Sequence, residues 1–247
     1  MDKDLLENSE FKEEMLKYTF ALNRLTSELE ILLEEYKFKN EYNPVEHIKT
    51  RIKSFSSIKG KLERKGLDVT VENMIHNVHD IVGIRIVCSF LADVYEIVGI
   101  LKSSKQFIVK DESDYIKNPK DSGYSSYHIN LLVPVHLLDR TEYIEAEVQI
   151  RTVAMDCWAS LDHKLRYKLP EELPESINSN MNLRAKEIRN LDKSMQYLHE
   201  LIEDYKEELK LPDYEIQNMS YEDIMKVLSQ ATVRTKRIIY FEVLGLA

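Results

Sequence analysis

Glycine is scarce in this 247-residue chain, with six residues at positions 60, 66, 83, 99, 123 and 245. Neither GxxxxGK[ST] nor GxGxxG can be written with those positions, so a nucleotide would have to be held by side chains rather than by a glycine-rich backbone cradle. HExxH and GxSxG are also missing, which removes the zincin and nucleophile-elbow patterns. The two cysteines, Cys88 and Cys157, are too far apart for a CxxC pair. That spacing supports neither a disulfide framework nor a zinc-thiolate site, and it fits a reducing, cytoplasmic setting. Long apolar runs are lacking too. The acidic stretch MDKDLLENSEFKEEM has no hydrophobic core of a signal peptide, and Arg85, Asp93 and Glu96 interrupt the most apolar region. No membrane span is expected.

What is present fits a globular domain. Hydrophobic residues make up 43% and charged residues 31%, which argues against wholesale disorder. The length suits one large domain with helical additions. A net charge of −9 argues against binding nucleic acid over the whole surface, while leaving room for a local phosphate-binding patch.

Along residues 11–36, Phe11, Met15, Tyr18, Leu22, Leu25, Leu29, Leu32 and Tyr36 recur at alternating spacings of four and three, a heptad seam on a long helix. The rhythm returns in Met181, Ile188, Leu191, Met195, Leu198, Ile202, Tyr205 and Leu209. Such seams can pack within the chain or join subunits, and the pattern favours neither. Asn43-Pro44 should close the first helix. Residues 45–66 then carry seven Lys or Arg against two acids, a net +5 in an acidic protein. A solvated basic face is the ordinary explanation of a charge run; a triphosphate is the ligand that would suit this one. Residues 47–54 alternate as a strand and 56–65 read as a helix. Further on, the pattern predicts a short helix over 70–80, a strand over 81–87 with Asp80 at its entrance, a helix over 91–103, and strands over 106–111 and 128–135. A loop at 118–123 precedes the last of these, and a short turn near 139–140 joins it to the next strand. Helical spacing resumes over 153–168. The order is mixed α+β with a sheet antiparallel at least in part. Ser220 and Asp223 form a capping-box-like helix start, and the apolar stretch 238–246 should dock.

The strand that carries the most chemistry is EAEVQIRT, residues 145–152. Its alternation puts Glu145, Glu147, Gln149 and Arg151 on one face and Ala146, Val148 and Ile150 on the other. On that stretch alone, a solvated sheet face is the simpler explanation. Paired with Asp80, however, Glu147 makes two carboxylates on or beside strands that can be neighbours. Magnesium is usually bound by one or two carboxylates together with substrate phosphates and water, so this pair could hold Mg2+ without a protein cage. Added to the basic segment, the pair points to phosphoryl or pyrophosphoryl transfer. His76 and His79 share a helix face, but no third and fourth ligand is evident, and two ordinary helix-end histidines explain them.

HDIVGIRIV, KDSGYSSYH and EAEVQIRT followed by VAMDCWASLDHKLRYK, in this order, resemble the synthetase domain of the RelA/SpoT family of GTP pyrophosphokinases over roughly residues 43–168. With no hydrolase domain before it and no regulatory region after it, the chain is similar to the small alarmone synthetases. The resemblance implies a nucleotidyltransferase-like sheet and transfer of pyrophosphate from ATP to the 3′-hydroxyl of GDP or GTP, leaving AMP. It implies ATP contacts by Arg51, Lys53, Lys61, Arg64 and Arg85, arginine suiting both phosphate forks and base stacking. Asp80 and Glu147 match the magnesium-associated carboxylates, with Glu147 activating the acceptor hydroxyl. Tyr124 matches the residue that stacks on guanine, and Lys120 and His128 match groups near the acceptor's phosphates. Ser122 and Ser125 depart from residues common in the family at those places. Gln149 is expected as a further acceptor contact. Asp156 is chemically suited to accept from the N1–H and amine of guanine.

The expected organisation is an amino-terminal heptad helix over 1–42, a synthetase core over 43–170, a second heptad helix over 171–211 and an extension over 212–247 without a reading. By resemblance the two long helices would assemble a homo-oligomer, a tetramer, with clefts for a regulatory nucleotide or RNA. Two rival readings remain: a toxic relative that modifies the tRNA 3′ end or makes adenosine products, and a non-catalytic nucleotide- or RNA-binding regulator.

Overall fold

The computed structural model describes residues 8–166 and 173–209. The extension from 212, with its expected cap at Ser220 and apolar end, lies outside the described residues, as does the end of the expected core at 167–170. Five strands and six helices are described: α1 (Ser9–Asn40), β1 (Val45–Ile52), α2 (Phe55–Arg64), α3 (Val71–Asn77), β2 (Val82–Cys88), α4 (Leu91–Ser103), β3 (Ile108–Asp114), β4 (Tyr127–His136), β5 (Thr141–Thr152), α5 (Val153–Arg166) and α6 (Glu175–Leu209). The chain divides into two compact units after Lys193, and the sheet with helices α1 to α5 belongs to the first.

Local chemistry sets the helix starts. The Asn8 side chain accepts from the Glu10 amide at 2.8 Å, Thr70 from Asn73 at 3.1 Å and Thr152 from Met155 at 3.1 Å, each satisfying an amide that the first turn leaves open. Helix α1 ends at Asn40, ahead of the expected stop at Asn43-Pro44, because Glu41 turns into the left-handed region with φ 52°.

The sheet order is β1-β2-β5-β4-β3. All neighbours run antiparallel except β2 and β5, which are parallel. Strand β5 lies at the centre, and its alternation decides the two faces. Ala146, Val148 and Ile150 are fully buried, together with Ile84 and Ile86 of β2 and Ile129, Leu131 and Val133 of β4. The buried apolar residues of α1, α2, α3 and α4 belong to this same cluster. The seam of α1 therefore packs onto the sheet: Phe11, Tyr18, Leu25 and Leu29 are buried, and Met15, Leu22 and Leu32 lie partly buried against the core. On α6 the rhythm divides. Met181 and Ala185 are buried and Ile188 is partly buried, beside Trp158 of α5, whereas Leu191, Met195, Leu198 and Ile202 are exposed.

Candidate active site

The other face of the sheet is polar, and its register lines the candidate residues up in two rows. One row runs Arg51, Gly83, Glu147, Asn130, Asp111 across β1, β2, β5, β4 and β3. The adjacent row runs Lys49, Arg85, Gln149, His128, Ser113. Glu147 thus sits mid-sheet, with cations on the β1 side and the His128 strand on the other. Gly83 matters to the first row by what it lacks: a Cβ there would lie 3.2 Å from Nε and 3.3 Å from Cγ of Arg51. The missing side chain lets Arg51 lie across β2.

A cavity of about 960 Å³ opens over these rows. Arg51, Arg85, Tyr124, His128, Gln149 and Arg151 line its floor, and Ser160, His163, Lys164 and Arg166 of α5 form a wall. A smaller cavity of about 220 Å³ shares Arg51, Arg85 and Gln149 with it and reaches Glu147. Two spaces that share Arg51, Arg85 and Gln149, one of them lined by Glu147, suit two substrates that must exchange a group.

Asp80 lies in the turn before β2, where Lys53 and Lys61 both donate to it, the latter at 2.8 Å. Burial opposes its ionisation, but those two hydrogen bonds and charges prevail and hold its carboxyl at about 2. Burial likewise pushes Glu147 up, and hydrogen bonds from His128 and Gln149 more than offset it, so its pKa lies below the ordinary value. Asp80 is close enough for its charge to oppose that shift. Both groups are therefore carboxylates at neutral pH. Among the described residues no group of three or more His, Cys, Asp or Glu could hold a metal. A donor set of two ionised carboxylates, without a cage, fits magnesium shared with phosphates and does not fit structural zinc.

Of the five residues expected to bind ATP, Arg51 and Arg85 line the cavities, while Lys53 and Lys61 are engaged with Asp80. Arg64 is exposed and lines neither cavity. Arg85 also pairs at 3.1 Å with Asp156, which ties a residue of the expected donor side to one of the acceptor side. Burial and the nearby Arg151 lower the Arg85 pKa, against the pull of Asp156.

The acceptor residues come together around a loop closed on itself, with the Lys120 amide donating to the Tyr124 carbonyl and the Gly123 amide to the Lys120 carbonyl. The Lys120 ammonium stands 4.5 Å from the Tyr115 ring centre and 5.3 Å from that of Tyr124. Gly123 has φ +79°, and its carbonyl accepts from Arg189 of α6 at 3.0 Å. Asp156 is nearly buried, and its Oδ1 is reached by both Arg85 and Arg151.

Two features are missed by the sequence pattern. Arg151, which alternation places on the polar face without a role, is buried at 3% exposure and donates to Tyr124, Gln149 and Asp156. The α5 wall is legible in principle: Ser160, His163 and Lys164 follow Asp156 at spacings of four, seven and eight, a single helix face.

The family model for the region found in RelA and SpoT proteins matches residues 50–172. GTP pyrophosphokinase YwaC of Bacillus subtilis is 44% identical over 186 residues, covering 75% of this chain and 89% of that protein. The crystal structure of small alarmone synthetase 2 from Bacillus subtilis superposes with a TM-score of 0.70 at 42% identity, covering 78% of this chain and 99% of that one. Small alarmone synthetase 1 from the same organism, bound to its product pppGpp, gives a TM-score of 0.71 at 30% identity over 78% of this chain and 97% of that one. Its AMPCPP-bound form gives 0.66 at 27% identity, covering 80% and 100%. On these likenesses the chain belongs to the RelA/SpoT family of GTP pyrophosphokinases.

Proposed function

We propose that this chain transfers pyrophosphate from ATP to the 3′-hydroxyl of GDP or GTP, making ppGpp or pppGpp and releasing AMP, as a signalling enzyme of the stringent response. The observation that carries this reading is the position of Glu147, an ionised carboxylate between the Arg51–Arg85 side of the sheet and the Tyr124–His128 side, lining a cavity that shares Arg51, Arg85 and Gln149 with the larger one. The pppGpp and AMPCPP held by a relative of like fold support guanosine and adenosine nucleotides as the two ligands.

Arg51 and Arg85 bind the donor's phosphates as forks, and Lys53 and Lys61 add positive charge beside Asp80. Tyr124 stacks on guanine, Lys120 and His128 lie near the acceptor's phosphates, and Asp156 reads the guanine edge. Asp80 and Glu147 would hold magnesium, which supplies charge neutralisation on the transferred group. Glu147 takes the proton as the 3′-oxygen forms its bond to the β-phosphorus, and the bond from that phosphorus to the bridging oxygen breaks to release AMP. No described helix is long and apolar enough to cross a membrane, and a cytoplasmic location agrees with that.

Incubation of the purified protein with labelled ATP and, separately, GDP, GTP, ADP or tRNA tests the reading. A pyrophosphorylated guanosine product is expected. Label on tRNA or on adenosine products would favour the toxic relatives, and no product with any acceptor would favour a binding module.

A further inference from the structure

Arg151 stands at the start of two hydrogen-bonded arms that end on the two oxygens of Glu147. In the first, its Nη2 donates to the Tyr124 hydroxyl at 2.6 Å, Tyr124 meets His128 Nε2 at 2.8 Å, and His128 Nδ1 meets Glu147 Oε1 at 3.2 Å. In the second, the same Nη2 donates to Gln149 Oε1 at 2.8 Å and Gln149 Nε2 donates to Glu147 Oε2 at 2.6 Å. For a neutral imidazole at His128, the chemistry of the two ends fixes the direction of every bond between them. A guanidinium only donates and an ionised carboxylate only accepts. Tyr124 must therefore accept from Arg151 and pass its own proton towards His128 Nε2, which leaves the His128 proton on Nδ1, pointing at Glu147. The Gln149 amide is fixed in one orientation by the same reasoning.

We infer that Arg151 is a positioning residue for the base of the reaction, and that the Tyr124 hydroxyl orients Glu147 through His128, a role separate from any stacking by its ring. This rests on the reading of Glu147 as the group that takes the 3′-hydroxyl proton. Two of the carboxylate's lone pairs are engaged by the arms, and the remaining ones are left to accept from other groups. His128 is set by Tyr124 on one nitrogen and Glu147 on the other, with the Tyr115 ring edge-on at 5.1 Å and the Lys120 ammonium over the neighbouring ring faces. Arg151 is itself held by Asp156 at 3.2 Å and packs 5.1 Å from the centre of the Tyr124 ring, so the arms have a fixed origin. A free carboxylate would sample many rotamers, whereas one gripped at both oxygens presents its base in a single orientation.

The test is Tyr124→Phe, which keeps the stacking ring and removes only the hydroxyl. Expected is a fall of about tenfold in kcat, a part of the roughly 10²–10⁴-fold that general acid–base catalysis contributes, with the acceptor KM unchanged. Combining it with His128→Gln forms a double-mutant cycle, in which the two losses should be strongly non-additive because both act through one arm. A readout that needs no turnover accompanies them: the histidine 15N spectrum should show His128 with its proton on Nδ1 in the wild type, and loss of that preference in Tyr124→Phe. An unchanged kcat in Tyr124→Phe, additive losses, or a wild-type His128 protonated on Nε2 would each overturn the inference. If the wild type made no product while the 15N result held, the proposed reaction would fail and the hydrogen-bonded arms would stand.

Discussion

Asp80 and Glu147 lie close enough to repel, yet each is held ionised by different partners, two lysines for one and His128 with Gln149 for the other. The difference predicts different responses to substitution. Glu147→Gln keeps the size of the side chain and removes its basicity, so turnover should vanish while ATP and guanosine nucleotides still bind, as calorimetry would show. For Asp80 the consequence reaches stability. Its carboxyl is depressed from 3.8 to about 2, so the stabilisation conferred by Lys53 and Lys61 is complete above about pH 4 and is lost as the pH falls towards 2. At 1.36 kcal/mol per unit, and discounted for solvent screening of this partly exposed cluster, this contributes on the order of 1 kcal/mol. Urea unfolding should therefore show a steeper acid-side loss in the wild type than in Lys53→Met/Lys61→Met, and parallel curves would refute the assignment. Asp156 presents a third case. Its Oδ1 joins two arginines, so Asp156→Ala should weaken the preference for GDP over ADP in competition and also lower stability by about 1–3 kcal/mol, because the buried Arg151 charge loses its carboxylate and keeps only the uncharged acceptors Tyr124, Gln149 and Ser126.

Elements were easier to read than their contacts. The helix over 91–103 falls where the spacing puts it, and β5 shows the alternation of EAEVQIRT directly, with Ala146, Val148 and Ile150 buried and Glu147 on the polar face. A period of two or 3.6 is a local property, so it survives in one segment of sequence. The pairing of β2 with β5 is not local: nothing in either strand states that Gly83 meets Glu147, and that register brings Arg51 and Glu147 into one row. Arg151 stayed ambiguous for the same reason, since its partners Tyr124 and Ser126 lie 27 and 25 residues away. Helix α6 gives the furthest case, because the sequence shows a seam but not that Ala185 and Arg189 meet the acceptor loop. A Cβ on Gly123 would come within 2.4 Å of the Ala185 Cβ, at a backbone φ of +79° that L residues rarely adopt. Gly123→Ala should cost about 1–3 kcal/mol in thermal melts and raise the acceptor KM. Adding Ala185→Gly should recover the steric part of that loss and leave the backbone part, which separates the helix contact from the turn.

At the scale of the whole molecule, the two heptad seams have different fates. That of α1 is consumed by the sheet, with Leu25 and Leu29 fully buried. On α6, Met181 is buried beside Trp158, but Leu191, Met195, Leu198 and Ile202 remain exposed at the same spacing. A row of four large apolar side chains on one helix face is the surface a second helix covers in knobs-into-holes packing, and leaving it in water would forgo roughly 1.5–3 kcal/mol for each side chain that a partner could bury fully. A homo-oligomer joined along this face is therefore expected, the assembly that family resemblance also suggests. Light scattering at micromolar concentration should give a multiple of the chain mass, and Leu198→Glu should return it to one chain. Since Leu198 lies far along the helix from Ala185 and Arg189, dissociation need not disturb the acceptor loop. Activity of the dissociated variant then asks a separate question. If turnover falls with the mass, the contacts of α6 with Gly123 depend on assembly; if it does not, the catalytic unit is complete in one chain. A wild-type protein that scatters as a monomer would remove the basis for assembly through this seam.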